Sequence, residues 1–203
     1  LREEARSALG LSPDRFAVLL VGNHWHNKGV PVLLEALEQL RGLPVDLLVV
    51  TNEDRAPLLG AIAAKSLEGR VHLLTPRKDV EFYYAAADAY AGPSLEDTFA
   101  LPPAEAMACG LPVIVSAFNG TCEIMTQGVD GLILKDPRDS CALAAMIRRL
   151  CEDGEFRERL GQRAAETARQ YTWERNGREL AAIFRDVLRS KAHGADQTAA
   201  QES

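Results

Sequence analysis

Short apolar runs alternate with segments of helical periodicity over the first two thirds of the chain. The runs are bounded by turn-forming residues, and in chain order they read RFAVLLVGN, VDLLVVTN, RVHLLT, AYAGPS, PVIVS and DGLILKD. Continuous runs of this length are typical of strands buried on both faces, as in parallel sheets. The segments between them, such as KGVPVLLEALEQLRG, carry apolar residues at helical spacing. This alternation predicts an α/β fold with a parallel six-stranded sheet flanked by helices.

The pattern becomes purely helical after about residue 139. Three helical segments follow, SCALAAMIRRLCED, EFRERLGQRAAETARQY and TWERNGRELAAIFRDVLRSK. Residues 192–203 lack large apolar side chains, so we expect a disordered tail there. Residues 1–14 read as a short helix or connector that ends in a Ser-Pro-Asp turn.

Composition narrows the class of protein. Of 203 residues, 47% are hydrophobic and 26% are charged, as in a globular protein with a core of ordinary size. The net charge is −6 and no Lys/Arg block stands out, which argues against nucleic acid as a partner. No apolar run approaches the roughly 20 residues that span a bilayer. The chain begins at Leu1 instead of Met, so we interpret it as a piece of a longer protein.

Four cysteines lie in the second half of the chain, without the paired spacing of a metal site: Cys109, Cys122, Cys141 and Cys151. We expect them to be small buried residues, not metal ligands or disulfide partners. No secretory signal is visible at the start of the chain. These features predict a reduced, cytoplasmic setting.

The loop after the first predicted strand, VGNHWHNKG, contains a lysine at the start of a helix. The positive end of the helix dipole disfavours a cation there, so a bound anion would compensate Lys28; a solvated surface lysine is the alternative. Ligands in such sheets bind beyond the carboxyl ends of the strands, where this loop lies. His24 and His26 lack a third metal ligand nearby, and the loop has no G-x-G-x-x-G dinucleotide fingerprint.

A helix led by two prolines follows the fourth predicted strand, in SLEDTFALPPAEAMACGLPV. Proline lacks an N–H and is best tolerated in the first helical turn, so Pro102 and Pro103 place the helix start near residues 100–102. Four backbone amides just upstream then lack assured partners, and such grouped donors bind anions. They belong to Thr98, Phe99, Ala100 and Leu101.

Acidic residues flank this helix start. Glu105 lies in the first turns of the helix, where its carboxylate can accept hydrogen bonds from ligand hydroxyls such as a ribose diol. Glu96 and Asp97 lie on the preceding loop, and capping of the helix is the alternative interpretation for Asp97 or Thr98.

The stretch PSLEDTFALPPAEAMACGLPVIVS resembles the donor-site motif of retaining glycosyltransferases of family 4, which have the GT-B fold. Four further stretches are similar to motifs of the same family: VGNHWHNKGVPVLLEAL, YYAAADAYAGPS, SAFNGTCEIMTQGVDGLIL and YTWERNGREL. Together they cover about residues 15–190 and correspond to the C-terminal, donor-binding half of such enzymes.

The resemblance assigns roles to the residues already singled out. It implies that Lys28 contacts the donor diphosphate, that the backbone from Thr98 to Leu101 caps the phosphate, and that Glu105 binds the ribose. Seven residues separate Asp97 from Glu105, so Asp97 takes the place of the first acid of the family's E-x(7)-E pair, which faces the transferred sugar. Glu96 is one residue out of register.

The chain departs from the family pattern at several positions. Asn23 stands where the family has a phosphate-binding Arg, and Asp97 is one methylene shorter than Glu. Thr98 and Ala100 replace two glycines. Arg77, after the third strand, would contact the base or phosphate and offset the missing Arg; surface exposure is the alternative.

The resemblance implies one Rossmann-like half of a GT-B enzyme, divided into a linker from a missing N-terminal domain (1–14), a nucleotide-sugar-binding domain (15–172), a crossover helix (173–191) and the tail (192–203). It would serve retaining, metal-independent hexosyl transfer from a nucleotide diphosphate sugar, without a cofactor. The missing domain would hold the acceptor and make any peripheral membrane contact, and this part alone would be inactive. The alternatives are a non-catalytic nucleotide-binding or interaction module and a GT-B epimerase or phosphorylase.

Overall fold

The computed structural model describes the backbone of residues 1–201 and the side chains of residues 1–190. The chain forms one compact unit, Leu1–Ala168, and a second that begins at Arg169. The division that the sequence suggests at residue 172 stays a prediction.

The first unit is built on a parallel sheet of six strands, as predicted. The strand order is β3-β2-β1-β4-β5-β6. The strands are β1 (Phe16–Val21), β2 (Val45–Val50), β3 (Val71–Leu74), β4 (Ala89–Gly92), β5 (Val113–Ser116) and β6 (Leu132–Leu134). The helices are α1 (Arg2–Ala8), α2 (Val30–Gln39), α3 (Ala56–Ala64), α4 (Glu81–Ala86), α5 (Leu101–Ala108), α6 (Ser140–Glu152) and α7 (Gly154–Ala168), with a 3-10 helix at Gly120–Ile124.

Both faces of the sheet are covered, which explains the continuous apolar runs. Along β1, Val18 and Leu20 belong to one hydrophobic cluster, together with residues of α2 and α6. Ala17 and Leu19 belong to a second cluster, together with residues of α4 and α5. Because side chains of a strand alternate between faces, a strand buried on both sides needs apolar residues at every position.

The strand order reverses between β1 and β4. From β1 the chain moves outward through β2 and β3, then returns to the other side of β1 at β4 and continues through β5 and β6. The connections after β1 and β4 therefore diverge, and a crevice opens beyond the carboxyl ends of these two strands. The loops that carry Lys28 and the unpaired amides of the sequence analysis both border this crevice.

At the amino ends of β1 and β4, on the side of the sheet away from the crevice, Asp88 anchors α1. Its carboxylate accepts hydrogen bonds from Arg2 Nη2 at 2.6 Å, Arg6 Nη1 at 3.2 Å and the backbone N–H of Ala17 at 2.8 Å. The Arg6 side chain is buried and also donates to the carbonyl of Ala86. Residues 1–14 thus contribute a packed helix to this unit, while their role as a link to another domain stays a prediction.

The carboxylate of Asp46, within β2, is buried. Arg15 donates two hydrogen bonds to it, and His72 Nε2 lies 3.6 Å from its Oδ2 atom. Burial by itself would raise the pKa of the Asp46 carboxyl, but hydrogen bonding and the charges of these neighbours lower it below its ordinary value. The ionised carboxylate therefore stabilises the fold.

The second unit consists of α8 (Trp173–Gln201) and the residues before it. Its described part carries large exposed apolar side chains: Trp173, Leu180, Ile183, Phe184, Val187 and Leu188. The expected disordered tail, 192–203, lies outside the residues whose side chains are described. In the described part of the chain, no helix combines the length and the apolar character needed to cross a membrane.

The expectation that the cysteines are buried is wrong. All four are free, Cys109 and Cys141 are exposed, and Cys122 and Cys151 are half-buried. Cys109 caps the carboxyl end of α5, and Cys141 is the second residue of α6. Side chains at such helix ends face solvent even when the rest of the helix packs on the sheet.

Candidate functional site

The loops after β1 and β4 are tied together where they border the crevice. Asn27 Nδ2 donates to the carbonyl of Glu96 at 2.9 Å, and the N–H of Leu95 donates to the carbonyl of Asn27 at 2.8 Å. Gly29 has a φ of 83°, and a Cβ there would lie 2.3 Å from the carbonyl oxygen of Pro93. Glycine is therefore required at this close approach, which sets the distance between the two loops.

This approach brings Lys28 to Asp97. Lys28 Nζ donates to Asp97 Oδ2, and the two side chains are 22% and 14% exposed. The lysine stem runs past Gly22, where a Cβ would lie 3.2 Å from Lys28 Cε. The lysine thus points to the loop ahead of α5, as an anion site there requires, but its charge is already matched by a carboxylate.

The grouped amides lie directly after Asp97. The helix α5 begins at Leu101, and its N-cap residue, Ala100, makes no side-chain capping hydrogen bond. In the part of the chain that the structure describes, none of the N–H groups of residues 98–101 donates a hydrogen bond. The interpretation of Asp97 or Thr98 as a cap therefore finds no capping bond, and four donors remain for a ligand at the positive end of the helix.

The loop after β5 forms hydrogen bonds to the backbone of residues 97–100. The N–H of Gly120 donates to the carbonyl of Asp97 at 2.9 Å, and Thr121 Oγ1 donates to the carbonyl of Ala100 at 2.8 Å. A Cβ at Gly120 would lie 1.8 Å from the carbonyl oxygen of Thr98. The carbonyl groups of Asp97 and Ala100 are thus held by the protein, which fixes the segment at both ends while its N–H groups stay unpaired.

Glu105 is exposed on α5 and has a buried partner. Tyr84, on α4, donates its hydroxyl to Glu105 Oε2 at 2.6 Å. Burial, together with this hydrogen bond, raises the pKa of the Tyr84 hydroxyl far above its ordinary value, so it stays a protonated donor. The helical spacing of the sequence marks Tyr84 as a core residue, which it is, but contains no sign that its hydroxyl reaches Glu105.

The structure places the remaining predicted residues away from the start of α5. Asn23 Oδ1 accepts hydrogen bonds from Thr51 Oγ1 and from the N–H of Asn52, both at 3.2 Å, which ties it to the end of β2. Arg77 pairs with Asp79 at 3.0 and 2.6 Å.

The carboxylate of Glu96 is exposed and has no hydrogen-bond partner among the described side chains. Of the two predicted cations, Arg77 pairs with Asp79, and Lys28 is the one that contacts the residue directly before the amide segment.

The histidines of the first loop do not gather metal ligands. His24 Nδ1 lies 3.8 Å from Glu53 Oε1, and the other oxygen of Glu53 accepts the N–H of Trp25 at 2.9 Å. No group of three or more His, Cys, Asp or Glu side chains that would hold a metal ion occurs among the described residues. The groups that these loops offer to an anion are the amides of residues 98–101 and Lys28.

Comparisons with known proteins bear on this site. Residues 2–167 match the family model of the glycosyl transferases group 1. The D-inositol 3-phosphate glycosyltransferase of Actinosynnema mirum is 34% identical over 209 residues, which cover 95% of this chain and 50% of that protein. Sucrose-phosphate synthase from Thermosynechococcus elongatus has a TM-score of 0.82 at 28% identity, over 93% of this chain and 49% of that one. HepE from Anabaena, solved in complex with UDP and glucose, has a TM-score of 0.81 at 26% identity, over 90% and 51%.

The chain spans about half the length of the curated relatives it matches. Its parallel sheet with flanking helices is one Rossmann-like half of the GT-B fold, as the resemblance implied. Since the family model covers residues 2–167 of the 203, this chain belongs to the glycosyl transferases group 1 family.

Proposed function

We propose that this chain is the donor-binding half of a retaining glycosyltransferase and that it binds the nucleoside diphosphate of a nucleotide sugar. The observation that carries the proposal is the set of four unpaired amides ahead of α5, next to Lys28 and at the point where the strand order reverses. The related HepE structure, solved in complex with UDP and glucose, supports the same class of ligand.

In this proposal the diphosphate lies over the amides of residues 98–101. Lys28 leaves the carboxylate of Asp97 and turns to a phosphate oxygen. Glu105 accepts hydrogen bonds from the ribose diol, and Asp97 faces the sugar. Because the carbonyl groups of Asp97 and Ala100 are already held by Gly120 and Thr121, the segment between them is in place before the anion arrives.

Transfer breaks the bond between the anomeric carbon and the diphosphate oxygen, and the electron pair stays on the leaving diphosphate. The new bond to the acceptor oxygen forms on the same face of the sugar, so the anomeric configuration is retained, and the proton of the acceptor hydroxyl passes to the leaving diphosphate oxygen. The amides and Lys28 would stabilise the growing negative charge; removal of one such donor commonly costs about 3 kcal/mol of transition-state stabilisation. We propose that these groups suffice without a metal ion or cofactor.

The acceptor would be held by a second domain, of the kind that makes up the other half of the relatives. The exposed apolar side chains of α8 supply a surface for such a domain. We propose that the enzyme acts in the cytoplasm, and that the chain of 203 residues binds the donor without transferring the sugar.

Calorimetric titration of the chain with UDP, GDP and ADP, each with and without an attached glucose, tests the proposal. We expect one of these nucleotides to bind, and we expect Lys28→Met and Glu105→Gln to weaken its binding. If none of the six ligands binds at millimolar concentration, the donor site is refuted.

A non-catalytic nucleotide-binding module is the second candidate. Two observations favour it. Asn23 stands in place of the family's phosphate-binding Arg and accepts a hydrogen bond from Thr51, and Asp97 pairs with Lys28, the lysine that remains. A chimera that joins this chain to the acceptor half of the Actinosynnema mirum relative separates the two. Acceptor-dependent release of the nucleoside diphosphate indicates a transferase, whereas donor binding without release indicates a module.

A further inference from the structure

We propose that Tyr84 is a positioning residue for nucleotide binding: its hydroxyl holds one carboxylate oxygen of Glu105 so that the other faces the ribose diol. This inference rests on the proposed function and adds a residue to it. The juxtaposition comes from two helices, α4 and α5, whose buried faces share one hydrophobic cluster.

The hydroxyl of Tyr84 is a fixed point. The side chain is 2% exposed and belongs to the same cluster as Ala106 and Met107, which follow Glu105 in the sequence of α5. Its oxygen lies 2.6 Å from Glu105 Oε2. A buried aromatic ring has little rotamer freedom left, so the position of the hydroxyl is set by the packing of the core.

Glu105 by itself has no such constraint. It is exposed, and within residues 1–190 its second carboxylate oxygen, Oε1, accepts no hydrogen bond. Glutamate is among the side chains that lose most rotamer freedom when they are ordered. The hydrogen bond from Tyr84 pre-orders the carboxylate and leaves Oε1 available, which lowers the cost of ordering it around a ligand.

The adjacent tyrosine has a different partner. Tyr83 is equally buried, but its hydroxyl donates to the carbonyl of Thr75 in the loop after β3. Burial raises the pKa of both tyrosines, so both hydroxyls stay protonated donors at neutral pH. Tyr83 therefore matches Tyr84 in residue type, helix and burial, and differs in the group that its hydroxyl holds.

The experiment titrates the chain of 203 residues with UDP and with 2′,3′-dideoxy-UDP, or with the corresponding pair if GDP or ADP is the tighter ligand. We expect Tyr84→Phe to weaken binding of the ribonucleotide by about five- to tenfold, as for loss of one net hydrogen bond, and to leave the dideoxynucleotide unchanged. Tyr83→Phe should keep the ratio of the two affinities at the wild-type value. In a Glu105→Gln background, Tyr84→Phe should produce no further change in that ratio.

Further comparisons distinguish a positioning role of Tyr84 from an effect of the substitution on folding. Glu105→Asp shortens the carboxylate without touching the buried ring, and we expect the same selective loss of ribonucleotide binding. If Tyr84→Phe weakens both nucleotides equally, its role is structural and the inference is overturned. If Glu105→Gln weakens the ribonucleotide but Tyr84→Phe and Glu105→Asp do not, the inference fails while the proposed function stands. If the unaltered chain binds no nucleotide, both fail.

Discussion

The ion pair between Lys28 and Asp97 leads to predictions of opposite sign for its two members. Both side chains lie in the crevice, and the pair must open before Lys28 can contact a phosphate. Lys28→Met removes the cation and leaves the Asp97 carboxylate beside the incoming diphosphate. Asp97→Asn removes the competitor and leaves the cation free.

The size of each effect follows from the strength of the interaction that the substitution removes. A hydrogen bond from a charged donor contributes about 2–3 kcal/mol, and opening the ion pair offsets about 1 kcal/mol of this, so Lys28→Met should raise the Kd for UDP by about 5- to 30-fold. The pair is partly exposed, which limits its own strength to about 1 kcal/mol. Asp97→Asn should therefore lower the Kd for UDP by about fivefold.

Calorimetric titration with UDP at two salt concentrations measures both effects. UDP lacks the sugar that would be transferred, so the assay is independent of any contact between Asp97 and the transferred group. We expect the salt dependence of binding to decrease in Lys28→Met, because one cation that meets the phosphates is gone.

Thermal unfolding of both variants is the control. Each variant breaks the same ion pair, so a simple loss of stability would weaken UDP binding in both. If Asp97→Asn weakens UDP binding as much as Lys28→Met does, the carboxylate orients the lysine and does not compete for it. If Lys28→Met leaves the Kd unchanged, Lys28 does not contact the diphosphate.

Three further predictions concern the stability of the fold that carries the site. Gly120→Ala places a methyl group 1.8 Å from the carbonyl oxygen of Thr98, so it should destabilise the fold by about 3 kcal/mol in urea unfolding and weaken UDP binding. Asp88→Ala removes the carboxylate that faces the buried Arg6, which keeps its hydrogen bonds to backbone carbonyls, and should cost about 3 kcal/mol in the same assay. The pKa of Asp46 is lowered in the folded state, so its contribution to stability is present at neutral pH. Asp46→Asn should accordingly be less stable than the unaltered chain at pH 7, and the difference should disappear as pH falls below about 4.

Local patterns of the sequence account for the secondary structure and much of the site. The continuous apolar runs predict strands covered on both sides, and the parallel sheet confirms them. Pro102 and Pro103 place the start of α5 correctly, because the missing N–H of proline is a property of the residue itself. The unpaired amides follow from this helix start, whereas the approach of Lys28 to their loop follows from the strand order, which no local pattern contains.

Only the tertiary structure decides which side chains meet. Asp97 forms an ion pair with Lys28, and the Tyr84 hydroxyl donates a hydrogen bond to Glu105. Asn23 accepts a hydrogen bond from Thr51, at the end of β2. Each contact joins residues that are distant in sequence, through the close packing of loops or helices whose spacing no local pattern contains. The physical reason is that periodicity reports which face of an element is buried, whereas the partner of a polar group depends on how the elements pack.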